Sequence, residues 1–369
     1  MIATVAALCF IGLLAYANGA NDNFKGVATL FGSGVSDYKK ALNWGTAMTF
    51  AGSVSAVWLT AGLVATFSGK QIVSPETLAL PGFAMAVVMA AAATVLIATR
   101  IGAPISTTHA LVGALLGAGF AAPESVIAWS KVGKSIFLPL GVGPLLAIAG
   151  AMLLYPLLTR LRAALGITRQ TCVCVGNEWI PQTHGTALNK ISVVVGSQQV
   201  CQERYSGAIF GVSAQTLLDQ LHYLSAGLVS FARGVNDTPK IVALMLLAAP
   251  FAGQGMTAFV GVGVVMGLGG LLGARRVAET MSQKITPMNP GQGLTANLIT
   301  SALVLAASPL ALPLSTTHVS CGALFGIGAV TRQARWRTIA GIFAAWLITL
   351  PLAASLGAML LRFNLLVIT

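Results

Sequence analysis

The sequence predicts an all-α polytopic membrane protein of two inverted-topology repeats, with about 10–12 membrane segments that include broken helices or re-entrant hairpins. Three observations support this fold class. Hydrophobic residues make up 56% of the 369 residues, and charged residues make up only 8%. Apolar runs recur along the whole chain, and two polar motifs each occur twice. Such a composition excludes an ordinary soluble domain.

The apolar runs define the membrane segments, since an α-helix needs ~20 residues to cross ~30 Å of hydrocarbon. The opening run lacks a preceding basic region, so we expect no cleaved signal peptide. No large polar block remains for a soluble catalytic domain, so we expect a multi-pass plasma-membrane protein and no enzyme. The expected segments are 1–35, 41–67, 81–98, 104–122, 136–158, 207–249, 256–274, 293–308, 318–331 and 338–361.

The two repeated motifs divide the chain into halves. Gly19-Ala20-Asn21-Asp22 matches Gly234-Val235-Asn236-Asp237, and Pro104-Ile105-Ser106-Thr107-Thr108-His109 matches Pro313-Leu314-Ser315-Thr316-Thr317-His318. Both pairs are separated by nearly the same number of residues, which is typical of a duplicated unit. We therefore predict a first transmembrane repeat at 1–158, a polar central loop at 159–204 and a second repeat at 205–369.

Loop charges predict that the second repeat is inverted. An odd number of crossings in each half reverses the orientation of the next half. The basic loop residues Lys39 and Lys40 correspond to an uncharged loop near Pro250, whereas Arg275 and Arg276 correspond to a loop with little charge. By the positive-inside rule both basic loops are cytoplasmic and both termini are outside. The net charge of +12 thus orients the chain and does not indicate nucleic acid as a partner.

The central stretch holds a grouping of potential metal ligands. Cys172 and Cys174 precede His184 and Cys201. A Cys-x-Cys pair without a second pair is a weak zinc pattern, so we predict no metal site.

The first repeated motif places charges inside apolar segments. Asp22 is followed three residues later by Lys25, and Asp237 by Lys240. Buried charges in membranes are costly and normally paired, and this spacing puts each pair on one helix face. Glycine before each Asn-Asp, together with Pro239, predicts a break in each helix. The alternatives are a structural ion pair or a motif outside the bilayer.

The second repeated motif predicts an oxyanion site. Three consecutive hydroxyl residues precede an apolar helix in each half, so hydroxyl groups and free backbone N–H groups converge at a helix start. An ordinary Ser/Thr helix cap is the alternative. The histidines His109 and His318 either cap, titrate or pack. The hydroxyl residues are Ser106, Thr107, Thr108, Ser315, Thr316 and Thr317.

The two motifs and the two-half layout resemble the inorganic phosphate transporter (PiT) family. The resemblance covers both halves and leaves out mainly the central loop. It implies an inverted-repeat membrane fold, often dimeric, that moves inorganic phosphate with sodium or protons. It also implies that the hydroxyl residues contact phosphate, and that the signature acids and amides are Asn21, Asp22, Asn236 and Asp237.

One departure from the family pattern concerns the coupling ion. The family has Asn-Asp-x-x-Asn-Ala, whereas lysine takes the second Asn position here, at Lys25 and Lys240. We predict that these ammonium groups replace bound sodium, so that protons are favoured over sodium as the coupling ion and no other cofactor is needed. Exchange or a different oxyanion also becomes more plausible. The lysines would then help to bind substrate together with Asn21 and Asn236, while Asp22 and Asp237 couple ions. The alternative is that both lysines snorkel to a membrane interface.

Three other functions stay open at this stage. The same fold could carry sulfate or another tetrahedral oxyanion, or the hydroxyl turns could line an anion channel. An intramembrane enzyme is the least favoured, because neither His-Glu-x-x-His nor Gly-x-Ser-x-Gly occurs. The expected partners are therefore phosphate or a similar oxyanion, the lipid bilayer and a second copy of the chain.

Overall fold

A computed structural model describes residues 2–70, 72–123, 125–181, 187–197, 199–200, 210–248 and 255–368. Apolar segments with good helix formers give α-helices throughout both halves. The helices of the first half are α1 (Ile2–Asp22), α2 (Ala28–Gly32), α3 (Tyr38–Leu59), α4 (Ala61–Phe67), α5 (Pro75–Leu78), α6 (Phe83–Ile101), α7 (Thr107–Ala121), α8 (Trp129–Val132) and α9 (Leu138–Ala164), with a π-helical turn at Gly133–Phe137.

The second half repeats this order with fewer short helices. Its helices are α10 (Ala214–Ala248), α11 (Met256–Gly273), α12 (Arg275–Glu279), α13 (Pro290–Ala307), α14 (Thr316–Thr331) and α15 (Trp336–Ile368), with a π-helical turn at Thr280–Lys284. Each of the ten predicted membrane segments contains all or most of at least one of these helices.

Five stretches of helix are long and apolar enough to cross a membrane, and the pair α3 and α4, bent by 89°, can make a sixth. The chain is therefore a multi-pass membrane protein with a helical membrane part, as predicted. The helices α7 and α14 have 15 and 16 residues, fewer than the ~20 that a full crossing needs. The five stretches are Val5–Asp22, Phe83–Ile101, Trp129–Ala164, Met256–Gly273 and Trp336–Val367.

A small sheet lies in the segment that joins the halves, where the sequence predicted only a polar loop. Its strands are β1 (Thr171–Pro181), β2 (Ala187–Ser197) and β3 (Phe210–Ser213), in the order β2-β1-β3 with antiparallel pairing. Cys172 and Cys174 lie on β1. His184 and Cys201 lie outside the described residues.

The charged motif breaks the helix in one half only. In the first half α1 ends at Asp22, and tight turns lead to α2. In the second half α10 continues through Pro239, so the predicted break there is wrong. Gly26 accounts for the difference, since the equivalent residue is Ile241, which favours helix more than glycine does. A side chain at Gly26 would also collide with the backbone of Ser230.

Helices of one half pack mainly on helices of the other. The helix α7 packs against α15 and α14 against α9, while α1 packs against α11 and α10 against α3. Glycines permit the close approach, as in small-xxx-small helix pairs. A Cβ added at Gly117 would overlap the carbonyl oxygen of Ala354, and one at Gly326 would lie 2.5 Å from that of Ile148. This reciprocal packing interlocks the halves, whereas their inverted orientation stays a prediction.

These close contacts predict a stability loss when the glycines gain a side chain. Gly117→Ala and Gly326→Ala should each destabilise the purified protein by about 1–3 kcal/mol, because the helices must move apart. The melting temperature in detergent measures the effect. Gly141→Ala is the matched control, because Gly141 also lies in a helix but has open space around it. Equal melting temperatures for Gly117→Ala and Gly141→Ala would contradict the packing argument.

Candidate functional site

The two hydroxyl turns begin helices in the same way. Ser106 precedes α7, and its hydroxyl accepts a hydrogen bond of 3.2 Å from the backbone N–H of His109. Ser315 precedes α14 and accepts a bond of the same length from the N–H of His318. The two serines are therefore helix caps, which satisfy one free N–H group at each helix start.

Lys25 is buried between the halves, with only 4% of its surface exposed. Its ammonium group forms an ion pair with the carboxylate of Asp22. It also donates to Asn21 Oδ1 at 2.8 Å, to the carbonyl oxygen of Ile105 at 2.8 Å and to Thr317 Oγ1 at 2.7 Å. Thr317 belongs to the hydroxyl turn of the other half. Lys25 thus ties the first charged motif to the second hydroxyl turn.

Lys240 of the second half makes the equivalent contacts with the first half. It is 1% exposed and lies 3.1 Å from Asp237 Oδ1. Its ammonium donates to the carbonyl oxygen of Leu314 at 3.2 Å and to Thr108 Oγ1 of the first hydroxyl turn at 2.8 Å. Such burial is incompatible with snorkelling to a membrane interface, so that alternative for the lysines is excluded.

Asn18 joins the two carboxylates. Its amide nitrogen lies 3.0 Å from Asp22 Oδ2 and 3.5 Å from Asp237 Oδ2. The hydroxyl of Thr107 donates to the same oxygen of Asp22 at 2.9 Å. The two aspartates, which occupy equivalent positions in the repeated motif, therefore share one polar neighbour.

Arg233 is the main site residue that the sequence analysis did not include. It is 1% exposed, and its Nε lies 3.5 Å from Asp237 Oδ2. Its guanidinium donates to Asn18 Oδ1 at 2.5 Å and to Asn23 Oδ1 at 3.0 Å. Arg233 and Asn18 both directly precede the repeated glycine, so extending the repeat by one residue would have found this pair.

The remaining predicted residues are also buried at this place. Asn21 donates to Thr99 Oγ1 at 2.9 Å, and Asn236 donates to the carbonyl oxygen of Leu314 at 3.0 Å. Thr316 occupies the first position of α14. The structure thus brings together all of the predicted residues, while their roles stay predictions: Asn21, Asp22, Lys25, Ser106, Thr107, Thr108, Asn236, Asp237, Lys240, Ser315, Thr316 and Thr317.

The two motif histidines pack against each other. The ring centroids of His109 and His318 are 4.5 Å apart, and His318 stacks on Trp346 with centroids 3.9 Å apart. The indole N–H of Trp346 donates to the carbonyl oxygen of Pro104 at 3.0 Å. These rings therefore fix the two hydroxyl turns relative to each other.

The surroundings of each lysine have the chemistry of a cation site. Around Lys25 Nζ lie oxygens of a carboxylate, an amide, a backbone carbonyl and a hydroxyl. Around Lys240 Nζ lie oxygens of a carboxylate, a carbonyl and a hydroxyl. Hard cations prefer oxygen ligands of these kinds, and transporters use unwound backbone carbonyls for sodium. The ammonium groups occupy the centre of both oxygen sets.

The cluster carries an excess of positive charge. Among the side chains that the structure describes, the buried charged residues are Asp22, Lys25, Arg233, Asp237 and Lys240. Three cations thus face two carboxylates. An uncompensated buried charge is costly, so this arrangement favours the entry of an anion.

The buried pair of Lys25 and Asp22 predicts a large stability effect. Lys25→Met should destabilise the protein by about 3–5 kcal/mol, because it leaves a buried carboxylate without its ion-pair partner. Adding Asp22→Asn should restore most of this loss. The free energy of unfolding in detergent measures both effects.

Lys40 supplies the matched control, because it pairs with Asp37 at the same i,i+3 spacing on the exposed surface, at 3.1 Å. Lys40→Met should change stability by less than about 1 kcal/mol. A Lys25→Met variant that is no less stable than Lys40→Met would show that the buried pair does not depend on its charge.

Comparisons with known proteins agree with the fold and the motifs. The chain is 30% identical over 377 residues to a protein of Rhizobium meliloti named as a probable low-affinity inorganic phosphate transporter, covering 97% of each chain. A protein of the same name in Bacillus subtilis is 26% identical, covering 93% of this chain and 91% of its own.

A solved structure titled the sodium-dependent phosphate transporter has the same fold, with a TM-score of 0.78, 21% identity and full coverage of both chains. The model of the phosphate transporter family matches residues 18–357, a range that includes both copies of both motifs. The family that the motifs predicted is thereby confirmed, together with its transporter rather than enzyme character, and the bacterial relatives support a location in the plasma membrane. The chain belongs to the phosphate transporter family.

Proposed function

We propose that this protein carries inorganic phosphate across the plasma membrane by alternating access, with the anion held between the two hydroxyl turns. One observation carries the proposal: the buried cluster contains three cations and two carboxylates from both halves. A monobasic phosphate ion would neutralise the excess charge. The relatives named as phosphate transporters support the choice of anion.

Binding of the anion exchanges contacts within the cluster. At present Thr107 donates to Asp22, and Thr317 donates to the carbonyl oxygen of Ile105. Phosphate oxygens would accept these hydroxyl groups and the free N–H groups at the starts of α7 and α14. The protons of monobasic phosphate would in turn donate to the carboxylate of Asp22. The anion then has hydrogen-bond partners both for its oxygens and for its protons.

The lysines make sodium unnecessary in this proposal. Each ammonium lies among oxygens that would otherwise suit a metal cation, and it cannot leave. Coupling to protons remains available, since protonation of Asp22 or Asp237 would raise the positive charge of the cluster and strengthen anion binding. Deprotonation after transport would weaken binding and release the anion.

Alternating access requires the contacts of the lysines with the hydroxyl turns of the opposite half to open and close. The contacts of Lys25 with Thr317 and of Lys240 with Thr108 bridge the halves. Phosphate can replace both threonines as the partner of the lysines, which would let the turns move without leaving the cations unpaired. We propose that each chain holds one such site and that the chain forms homodimers.

The lysine proposal predicts the ion dependence of uptake. In proteoliposomes, labelled phosphate uptake by the parent protein should persist when choline replaces sodium, and a proton gradient should accelerate it. Lys25→Asn with Lys240→Asn restores the family pattern and lowers the cluster charge by two. This variant should lose uptake without sodium by about tenfold or more and regain it when sodium is added.

Lys40→Asn is the control, because Lys40 is exposed and pairs only with Asp37 among the described residues. Its uptake should match the parent in every buffer. Parent uptake that stops without sodium, or a double variant that transports like the parent in choline, would refute the role of the lysines.

Competition with unlabelled anions distinguishes phosphate from sulfate as the substrate. Sulfate is fully deprotonated at neutral pH and cannot donate to Asp22 or Asp237, whereas arsenate can. Unlabelled arsenate should therefore inhibit phosphate uptake about as well as phosphate does, and sulfate at least about tenfold less well. Equal inhibition by sulfate would favour a general oxyanion permease. Single-channel current steps in planar bilayers would favour an anion channel instead.

A further inference from the structure

His222 is buried without a hydrogen-bond partner. Its side chain is fully buried in α10, and neither ring nitrogen has a partner among the described residues. The ring lies against Gly293 of α13, where an added Cβ would overlap it and would lie 3.2 Å from Thr29 of α2. A buried polar group without a partner costs about 1–3 kcal/mol. A ligand that hydrogen-bonds to the ring nitrogens would offset this cost.

The residues around His222 form a buried polar chain. Thr29 donates to Asn297 Oδ1 at 3.1 Å, and the amide of Asn297 donates to Ser225 Oγ at 3.2 Å. Ser225 donates to the carbonyl oxygen of His222 at 2.8 Å. We call His222, Ser225, Thr29 and Asn297 the polar passage. It lies where α2, α10 and α13 meet.

The polar passage leads along α10 toward the charged cluster. His222, Ser225 and Arg233 are separated by intervals that place them on one side of the helix, and His222 lies ~16 Å along the axis from Arg233. Toward the start of α10, residues that neighbour His222 in the sequence, including Asp219, Gln220 and Tyr223, line a surface groove of about 510 Å³ together with Val35. The loop charges predict that this end faces the cytoplasm.

The equivalent positions of the other half are apolar. By the motif alignment His222 corresponds to Ala7, Ser225 to Phe10, Thr29 to Leu244 and Asn297 to Val88. Ala7, Val88 and Leu244 are buried in the larger apolar core or beside it. The polar connection to the charged cluster is therefore present on one side only, although both halves repeat the cluster itself.

We propose that the polar passage is a second oxyanion site, at which His222 binds phosphate on its way between the charged cluster and the cytoplasmic face. This proposal rests on the proposed function. A neutral imidazole has one N–H donor and one nitrogen acceptor. Monobasic phosphate also has both kinds of group, so it can satisfy both ring nitrogens, with water filling its remaining bonds.

Cysteine labelling tests the passage and its ligand. Thr29→Cys and Asn297→Cys probe the passage, and Leu244→Cys and Val88→Cys probe the matched positions of the other half. Purified variants in detergent react with a sulfonate-bearing methanethiosulfonate, and peptide mass spectrometry measures modification at each cysteine separately from the native ones.

The cysteines in the passage should react about tenfold faster than their apolar counterparts, and saturating inorganic phosphate should slow them several-fold. Equal rates at all four positions would overturn the passage. Fast labelling that phosphate does not change would overturn the anion site and leave a channel for water only. If the parent protein moves no phosphate, the proposed function fails, and the rates without phosphate still decide whether the passage exists.

Substitutions of His222 provide a second readout. His222→Gln keeps a donor and an acceptor, whereas His222→Leu removes both. Phosphate uptake should fall several-fold in His222→Leu and stay near the parent rate in His222→Gln, with phosphate affinity of the central cluster unchanged in both. If His222→Leu transports like the parent and is more stable, His222 has no part in the passage.

Discussion

The buried charge cluster constrains everything else in this protein. Five charges lie in a region where an isolated ion is costly, so each of them needs polar partners, and four of the five have partners in both halves. Lys25 reaches the hydroxyl turn of the second half, and Lys240 reaches that of the first. These contacts require α1 and α10 to lie side by side and the starts of α7 and α14 to meet at their centre. The close packing of helices from the two halves follows from that requirement. Glycines at the points of contact permit this packing.

Hydropathy and internal repetition predicted most of the fold, because an apolar solvent leaves few options besides helices. All ten predicted segments contain helices, and the two motifs meet as the repeat suggested. The strands of the central segment were not predicted, because their alternating pattern is short and lies in a polar context. The continuity of α10 through Pro239 was missed for a different reason: proline disfavours a helix locally, whereas packing on both sides holds this one together.

The sequence predicted which residues form the site but not which contacts they make. Motif matching identified the lysines, yet only the structure distinguishes burial among oxygens from snorkelling. Arg233 and His222 were missed because neither belongs to a matched pair of identical residues. Repetition indicates what the halves share, whereas the excess charge and the polar passage come from positions at which they differ. The structure is needed to show which of these differences lie at the site.

The pairing of Arg233 with Asn18 has a consequence for the energy of the proposed transport cycle. Two identical halves exchanging conformations would give inward-open and outward-open states of equal free energy. Here one half contributes a guanidinium where the other contributes an amide, and one side of the cluster is lined by hydroxyl and imidazole groups where the other is lined by hydrocarbon. In the proposed alternating-access cycle the two states would therefore differ in free energy even without a gradient, which would bias the resting population toward one of them. Within that proposal, the bias comes from the positions at which the two halves of the duplication differ.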